Sequence, residues 1–548
     1  MKTSSKILAL LMAVVLGAVM IGCNGGTTSS STTESTASSE SEAPAESSEE
    51  SSEATPVASG DYPTLIWWSI GATPDDLSDG LAAINEYAGE QIGVNVDIKQ
   101  AGWGDWDTKV NTIVNSGEYY DIMFTNNTKY SQFVNMGAFT DITELAQSVT
   151  PELWSFIPEM VWDGTKIGGK IYAVPTYKDS SITQYWVFDD IYVQKYNIDI
   201  DNIKTMADLD APFRAMKEGE GRSFYPLDLS QGSLFNGFFN DYDGLTAGLQ
   251  PLGVRVDDET RTVVSVLEQA DIMENLKLLH SWYQDGIINP DAPTLIEPNK
   301  NLPFMAGQGF PGAEITWQIN NGVEKYDMFP IFGPMYTTDT IQGSMNAISS
   351  ASNYKEESLK FLQFANLDHK MRDMLAFGVE GRHFEYNSDN VITKLTDTWT
   401  MPSYAQATFF TMSTMSDAPA DQWEQVKMLN EQADASVCLG FALDVTDINT
   451  EISNCKATWD KYKFEMLTGA SDPEVKVAEC IAELKANGLD TIIAEAQKQV
   501  DEYFADSAAP SGEAETSESS EEASTETESS VESTEESTEE SAEESAAE

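Results

Sequence analysis

Between residues 64 and 125 three short β-rich runs alternate with two helically spaced segments, and that order leaves few folds open. Residues 64–70 (TLIWWSI) form the first run. Thr73-Pro74-Asp75-Asp76 follows, with a capping Thr, Pro in the first turn and early carboxylates, and Leu77, Leu81, Ile84 and Ala88 then fall at helical spacing. Residues 94–98 alternate as a second strand. Asp107 is expected to open a second helix, with Val110, Ile113 and Val114 on one face and Gly117 as its stop. Residues 120–125 supply the third strand. A βαβαβ order with short connections predicts a parallel sheet with helices on both faces. Ligands of such sheets bind beyond the carboxyl ends of the strands, which here means residues 69–72, 102–106 and Asn126-Asn127.

The flanks are of another kind. Lys2 and Lys6 precede an apolar run, residues 7–21, of signal-peptide length and too short for a membrane span. It ends at Met20-Ile21-Gly22-Cys23. Residues 24–60 are Ser, Thr, Glu and Ala with two prolines, and residues 511–548 repeat the composition. Such segments bury too little apolar surface to offset their ordering entropy and are expected to stay disordered. They hold 22 of the 90 acidic residues, so the middle of the chain is acidic in its own right within a net charge of −59. That charge excludes a nucleic-acid partner, whose phosphates it would repel.

The middle is long enough for two or three ordinary cores. Residues 171–175 and 184–188 read as strands, and Pro175 suits a crossing between lobes. Residues 206–217, 270–283 and 355–367 read as helices, and 422–504 is mainly helical. Cys438, Cys455 and Cys480 lack metal-ligand spacing, and the three histidines lie far apart, so no metal and no cofactor is expected. Asn197-x-Asp199-x-Asp201 with Asp208 has calcium-loop spacing, but Asn202 stands where Gly is needed, and a helix-capping acidic loop is the default. There is no Ser nucleophile elbow and no phosphate loop; a pair of carboxylates for glycoside hydrolysis could be found anywhere in so acidic a chain and discriminates nothing.

Several segments in order resemble the extracellular solute-binding lipoproteins of carbohydrate-type ABC importers, across roughly residues 62–505. They are the small residue before Cys23, the Ser/Glu tether, Asn115-Ser-Gly-Glu-Tyr-Tyr-Asp-Ile122, Gly169-Lys-Ile-Tyr-Ala-Val-Pro175, Gly378-Val-Glu-Gly-Arg-His-Phe384 and the ending at residues 484–493. Met20 and Tyr119-Tyr120 depart from the family's usual Leu and Pro. The resemblance implies a non-enzymatic α/β, two-lobed periplasmic-binding-protein-like fold (type II), with discontinuous lobes, a hinge and a ligand cleft. The expected organisation is signal peptide 1–22, lipid-anchored tether 23–60, binding domain 61–508 and acidic tail 509–548. Within the domain, lobe 1 takes 61–175 and 340–400, and lobe 2 takes 176–339 and 401–508. Cys23 is the expected lipidation site, anchoring a monomer to the outer face of the bacterial cytoplasmic membrane. The partners implied are an oligosaccharide or other small solute and the permease subunits of the importer.

Sugar rings offer apolar C–H faces edged by hydroxyls, which flat aromatics and hydrogen-bonding groups recognise. The expected ligand contacts are Trp68, Trp103, Trp106, Asn126, Asn127, Tyr177, Lys178, Trp186, Tyr225, Trp317, Glu380 and Arg382. Each has a plainer reading: the tryptophans as core or sheet-edge caps, the asparagines as turn formers, Glu380 and Arg382 as a surface brace. A peptide-binding lipoprotein, a secreted glycosidase and a purely structural surface protein are the rival functions.

Overall fold

The computed structural model describes residues 60–507 except Pro298, Asp389 and Asp417. Cys23, the signal segment, the tether and the acidic tail lie outside the described residues. The described residues up to Tyr503 form one compact unit, to which the features below belong apart from the end of the last helix.

The opening alternation folds as β1 (Thr64–Ile70), α1 (Leu77–Ile92), β2 (Asn95–Ala101), α2 (Trp103–Ser116) and β3 (Ile122–Thr125). β4 (Ala173–Pro175) follows, then β5 (Ile182–Asp189), α3 (Asp210–Glu220), β6 (Phe304–Gln308), α4 (Ala313–Asn321) and β7 (Tyr326–Tyr336). The last part holds β8 (Met345–Ile348), α5 (Lys355–Leu367), α6 (His369–Phe377), α7 (Gln422–Glu431) and β9 (Asp434–Ala435). It closes with α8 (Asn449–Leu467), α9 (Pro473–Ala486) and α10 (Leu489–Ser507).

The first sheet has the order β2-β1-β3-β8-β4. β1 runs parallel to β2 and β3, as the βαβαβ reading requires. β8 pairs antiparallel with β3 and with β4, so the sheet is mixed rather than wholly parallel. The local pattern around residue 346 carries no information about partners some 170 to 220 residues away in sequence, which is why this pairing is visible only in the fold. The second sheet, β6-β5-β7-β9, is antiparallel except for the β7–β9 edge. The chain passes between the sheets at 176–181, again after β7, and a third time before β9.

Trp67 and Trp68 point to opposite faces of β1, and both are buried. Trp67 joins Leu81, Ile84 and Ala88 of α1 and Leu359, Leu362 and Leu375 of α5 and α6 in one core. Trp68 joins Trp106, Val110 and Ile113 of α2 in the other. Each large side chain so buried stabilises the fold by about 1.5–3 kcal/mol.

Two helix starts differ from expectation. α1 begins at Leu77 after Asp76, whose side chain does not cap it. The Asp76 carboxylate instead bonds His383 and Arg382, so the acidic start is spent on a distant loop. α2 begins at Trp103, four residues before Asp107, with Gly102 as its N-cap. The Trp103-Gly-Asp-Trp106 segment, expected to precede the helix, is therefore its first turn.

Candidate functional site

The carboxyl edge of the first sheet is built from the ends of β1, β2 and β3 and from residues 400–409, which lie across it. Gly71, just past β1, has φ 135°, and a Cβ there would come within 2.6 Å of Pro402 Cδ. Only glycine lets the crossing segment settle onto the strand end. Two residues on, Tyr404 meets the first residue of α2. The Trp103 and Tyr404 rings lie 6.4 Å apart at 19°, and Trp103 Nε1 donates to the Tyr404 hydroxyl at 2.7 Å. Trp103 is 47 % exposed and Trp106 1 % exposed. At spacing i, i+3 the two flank Phe124 from α2, with ring distances of 6.2 and 5.6 Å, both edge-on. Trp106 is thus the packed support and Trp103 the presented face. An indole and a phenol with nearly parallel planes, the phenol O–H still free to donate, make an apolar surface with a polar rim.

Beside it, the loop after β3 meets the second passage between the sheets. Asn127 Nδ2 donates to Asp339 Oδ1 at 2.8 Å, and Asn127 N–H donates to the Gln342 carbonyl. Asp339 Oδ2 lies 4.0 Å from where a Cβ would stand on Gly244, next to the buried Asp243. Asp243 Oδ1 accepts from Leu245 N–H at 2.9 Å, in a turn where Leu245 and Thr246 both take positive φ. Burial, opposed by the Asn127 bond and reinforced by the Asp243 charge, pushes the Asp339 carboxyl up to about 6. Asn126 is buried, and its Oδ1 accepts from the Thr128 N–H and hydroxyl, the turn-forming role.

The other expected contacts fall in five places. Trp68 is buried on β1 with Lys109 Nζ 4.5 Å from its ring centre, on the α2 side. Tyr177 is buried against Phe410 and Phe156 at the first passage, and burial pushes its hydroxyl up to about 12. Lys178 pairs with Asp179 at 2.7 Å, and its carbonyl accepts from Asn430 of α7, which also receives Ser181 N–H at 3.0 Å. Trp186 sits edge-on to Phe235, Phe304 and Phe329 in the second sheet, and Trp317 of α4 packs in the cluster of Tyr185, Val187 and Tyr326. Tyr225 lies against Lys217 of α3. Arg382 binds Asp76 at 3.2 Å and Asp79 at 2.6 Å, while His383 Nε2 meets Asp76 Oδ2 at 2.7 Å and its Nδ1 accepts from Val379 N–H. The His383 bond, ahead of the other contacts, holds the Asp76 carboxyl below its ordinary value. This loop braces the start of α1, and Glu380 is exposed on it. The structure therefore gathers Trp103, Trp106, Asn126 and Asn127 at one edge and scatters the rest.

The calcium-spaced loop is used locally. Asp208 accepts from Lys204 N–H and from the Thr205 N–H and hydroxyl, and Asp199 accepts from Asn202. Among the described residues no group of three or more His, Cys, Asp or Glu side chains is placed to hold a metal ion, and no helix is long and apolar enough to cross a membrane.

Three residues at the edge had no signal in the sequence: Tyr404, Asp339 and Arg372. Tyr404 stands in an irregular stretch, and Asp339 is one acid among 90. Arg372 lies in a helix, where a basic residue ordinarily marks a solvated face; here it is fully buried.

Residues 74–368 match the family model of bacterial extracellular solute-binding proteins, and the chain belongs to that family, whose members bind solutes outside the cytoplasm rather than transform them. A second model, of a domain of unknown function, matches residues 437–505. A carbohydrate ABC transporter substrate-binding protein of Streptococcus pneumoniae is 27% identical over 465 residues, covering 81% of this chain and 92% of the relative. The solved N-glycan transport solute binding protein of Streptococcus pneumoniae is 26% identical with a TM-score of 0.71, covering 81% of this chain and 100% of that one. Its complex with Man1GlcNAc matches at 25% identity and a TM-score of 0.64 over the same shares. The fold is the two-lobed α/β architecture of these binding proteins.

Proposed function

We propose that this protein captures an oligosaccharide outside the cell and delivers it to an ABC importer. The observation that carries the reading is the Trp103–Tyr404 surface, a large indole left half in solvent at the carboxyl ends of the parallel strands β1, β2 and β3. An exposed indole there is a poor use of apolar area unless a ligand covers it. The names of the relatives point the same way, since one is a carbohydrate transporter's binding protein and another carries N-glycans. The ligand class we favour is accordingly a mannose- and N-acetylglucosamine-containing glycan.

The lobes in this reading follow the two sheets. Residues 61–175 and 340 onward build the first, and we put the third passage after Ser416 rather than at 400, because residues 403–408 are bonded to Asn346 and Arg372 and residues 411–416 to Asn366, Asp373 and Ile392. Closure about the three passages brings the second lobe over the platform. Cys23, acylated, holds the protein at the outer face of the membrane through the tether, and substitution Cys23→Ala is expected to release it into the medium.

Thermal unfolding against a panel of oligosaccharides, peptides and small polar solutes tests the function. A ligand at a hundred times its dissociation constant adds about 2.7 kcal/mol of stability. A shift with one glycan class, recovered intact, supports the proposal. Shifts with peptides alone, or silence across the panel, overturn it.

A further inference from the structure

Arg372 on α6 is 0 % exposed, yet its hydrogen bonds go to no carboxylate. Its Nε donates to the Thr408 carbonyl at 2.5 Å, Nη1 to Gln406 Oε1 at 2.9 Å and Nη2 to the Ser403 carbonyl at 2.9 Å. The adjacent Asp373 attracts it only through space, its hydrogen bonds being accepted from Tyr386 and from Ser413. Taking a guanidinium out of water without a paired anion is costly, and burial pushes its pKa down to about 10. A residue kept at that cost needs a task that an apolar side chain of the same volume could not perform.

The three acceptors all lie on one irregular segment, residues 403–408. At one end that segment carries Tyr404, whose carbonyl also accepts from Ser344 Oγ. At the other end it is tied to the first passage between the sheets, where the Tyr177 carbonyl accepts from Thr408 Oγ1 at 2.6 Å and from Phe409 N–H at 3.2 Å. Asn346 of β8 holds its middle, and Asn366 of α5 accepts from Thr408 N–H at the same far end. A planar fork with diverging donors can span both ends of such a segment at once. An ammonium offers only a point, and a thioether offers no donor at all.

We propose that Arg372 is a positioning residue: it holds Tyr404 against Trp103 and ties that platform to the first passage, so that glycan affinity depends on a buried side chain that touches no ligand. The inference rests on the oligosaccharide reading given above, but it has a readout that needs no sugar.

The test compares the full chain with Arg372→Met and Arg372→Lys, and with Gln406→Met, which keeps the guanidinium and removes one of its partners. Each is made with and without Trp103→Phe, so that acrylamide quenching of Trp103 is obtained by difference. Binding is measured by titration with Man5GlcNAc well below the melting temperature. Arg372→Met is expected to raise Trp103 quenching and to weaken Man5GlcNAc binding at least tenfold, with Arg372→Lys recovering part of both. Wild-type quenching and affinity in Arg372→Met, whatever its melting temperature, would show a merely structural arginine and overturn the proposal. If Arg372→Met does not fold, Gln406→Met decides: a smaller change in the same direction supports the proposal, and no change overturns it. A wild-type protein that ignores Man5GlcNAc while the quenching difference persists defeats that glycan reading and leaves the positioning role standing.

Discussion

Replacing Asp339 by Asn keeps the shape of the side chain and an oxygen to accept from Asn127, removes the charge and turns the second oxygen into a donor. The ordinary carboxyl value is 3.8, and burial beside Asp243 raises it to about 6 in the folded protein. At 1.36 kcal/mol per unit, the difference corresponds to about 3 kcal/mol. The folded-state value lies above the unfolded one, so folding takes up a proton between the two. The associated stability is fully present below pH 3.8 and is lost as pH rises through about 6. At pH 8 the wild-type protein therefore folds around an ionised carboxylate that the Asn variant does not carry. Asp339→Asn is expected to match the wild type near pH 4 and to exceed it by about 3 kcal/mol at pH 8. With an unfolding entropy of about 2.1 cal/mol/K per residue over about 450 residues, that is a rise in Tm of about 3 °C. Calorimetric melting of both proteins across this range reads the effect of this acidic site, because the carboxylates other than its neighbour Asp243 titrate alike in the two and cancel in the difference. A difference that is flat with pH, or that grows toward acid, would refute the reasoning.

Trp103→Ala should leave melting within about 1 kcal/mol of wild type, since the ring is half in solvent, and weaken glycan binding by about 2 kcal/mol, roughly thirtyfold, in a calorimetric titration. Trp106→Ala should do the reverse, costing about 3–5 kcal/mol in denaturant unfolding through the cavity left beside Phe124 and Val110. Millimolar calcium should move the melting temperature by no more than about 1 °C, because Asp199 and Asp208 already serve as local turn and cap acceptors; a larger shift would restore the metal loop.

The strands β1, β2 and β3 were legible because alternation and β-branched or aromatic content act over a few residues, and α5 fell on residues 355–367 as its spacing predicts. The start of α2 was not. Gly102 and Gly104 around Trp103 read as a loop by propensity, but Phe124 offers both tryptophans a surface at i, i+3, and that packing outweighs the cost of one helical glycine. The same misplacement hid the difference between Trp103 and Trp106, which a loop would have left equivalent. Tyr177, Trp186 and Trp317 are aromatic like Trp103 yet end in cores, since aromatic composition says how much flat surface a chain owns and not where it is shown. Tyr404 reaches Trp103 from 301 positions away in sequence, and no window of sequence contains both.

The order of periodicities determined that this chain would build a parallel βαβαβ core and set the expected ligand edge past residues 70, 101 and 125, because hydrogen-bond geometry and side-chain period are local properties. The segments in order also made the resemblance to its family readable. Which aromatic faces solvent, which arginine is buried, and which acid shares its site with another were settled only when distant segments met. Burial, stacking and a shifted proton affinity are properties of neighbours, and at this edge the neighbours come from residues 71, 103, 127, 243, 339, 372 and 404.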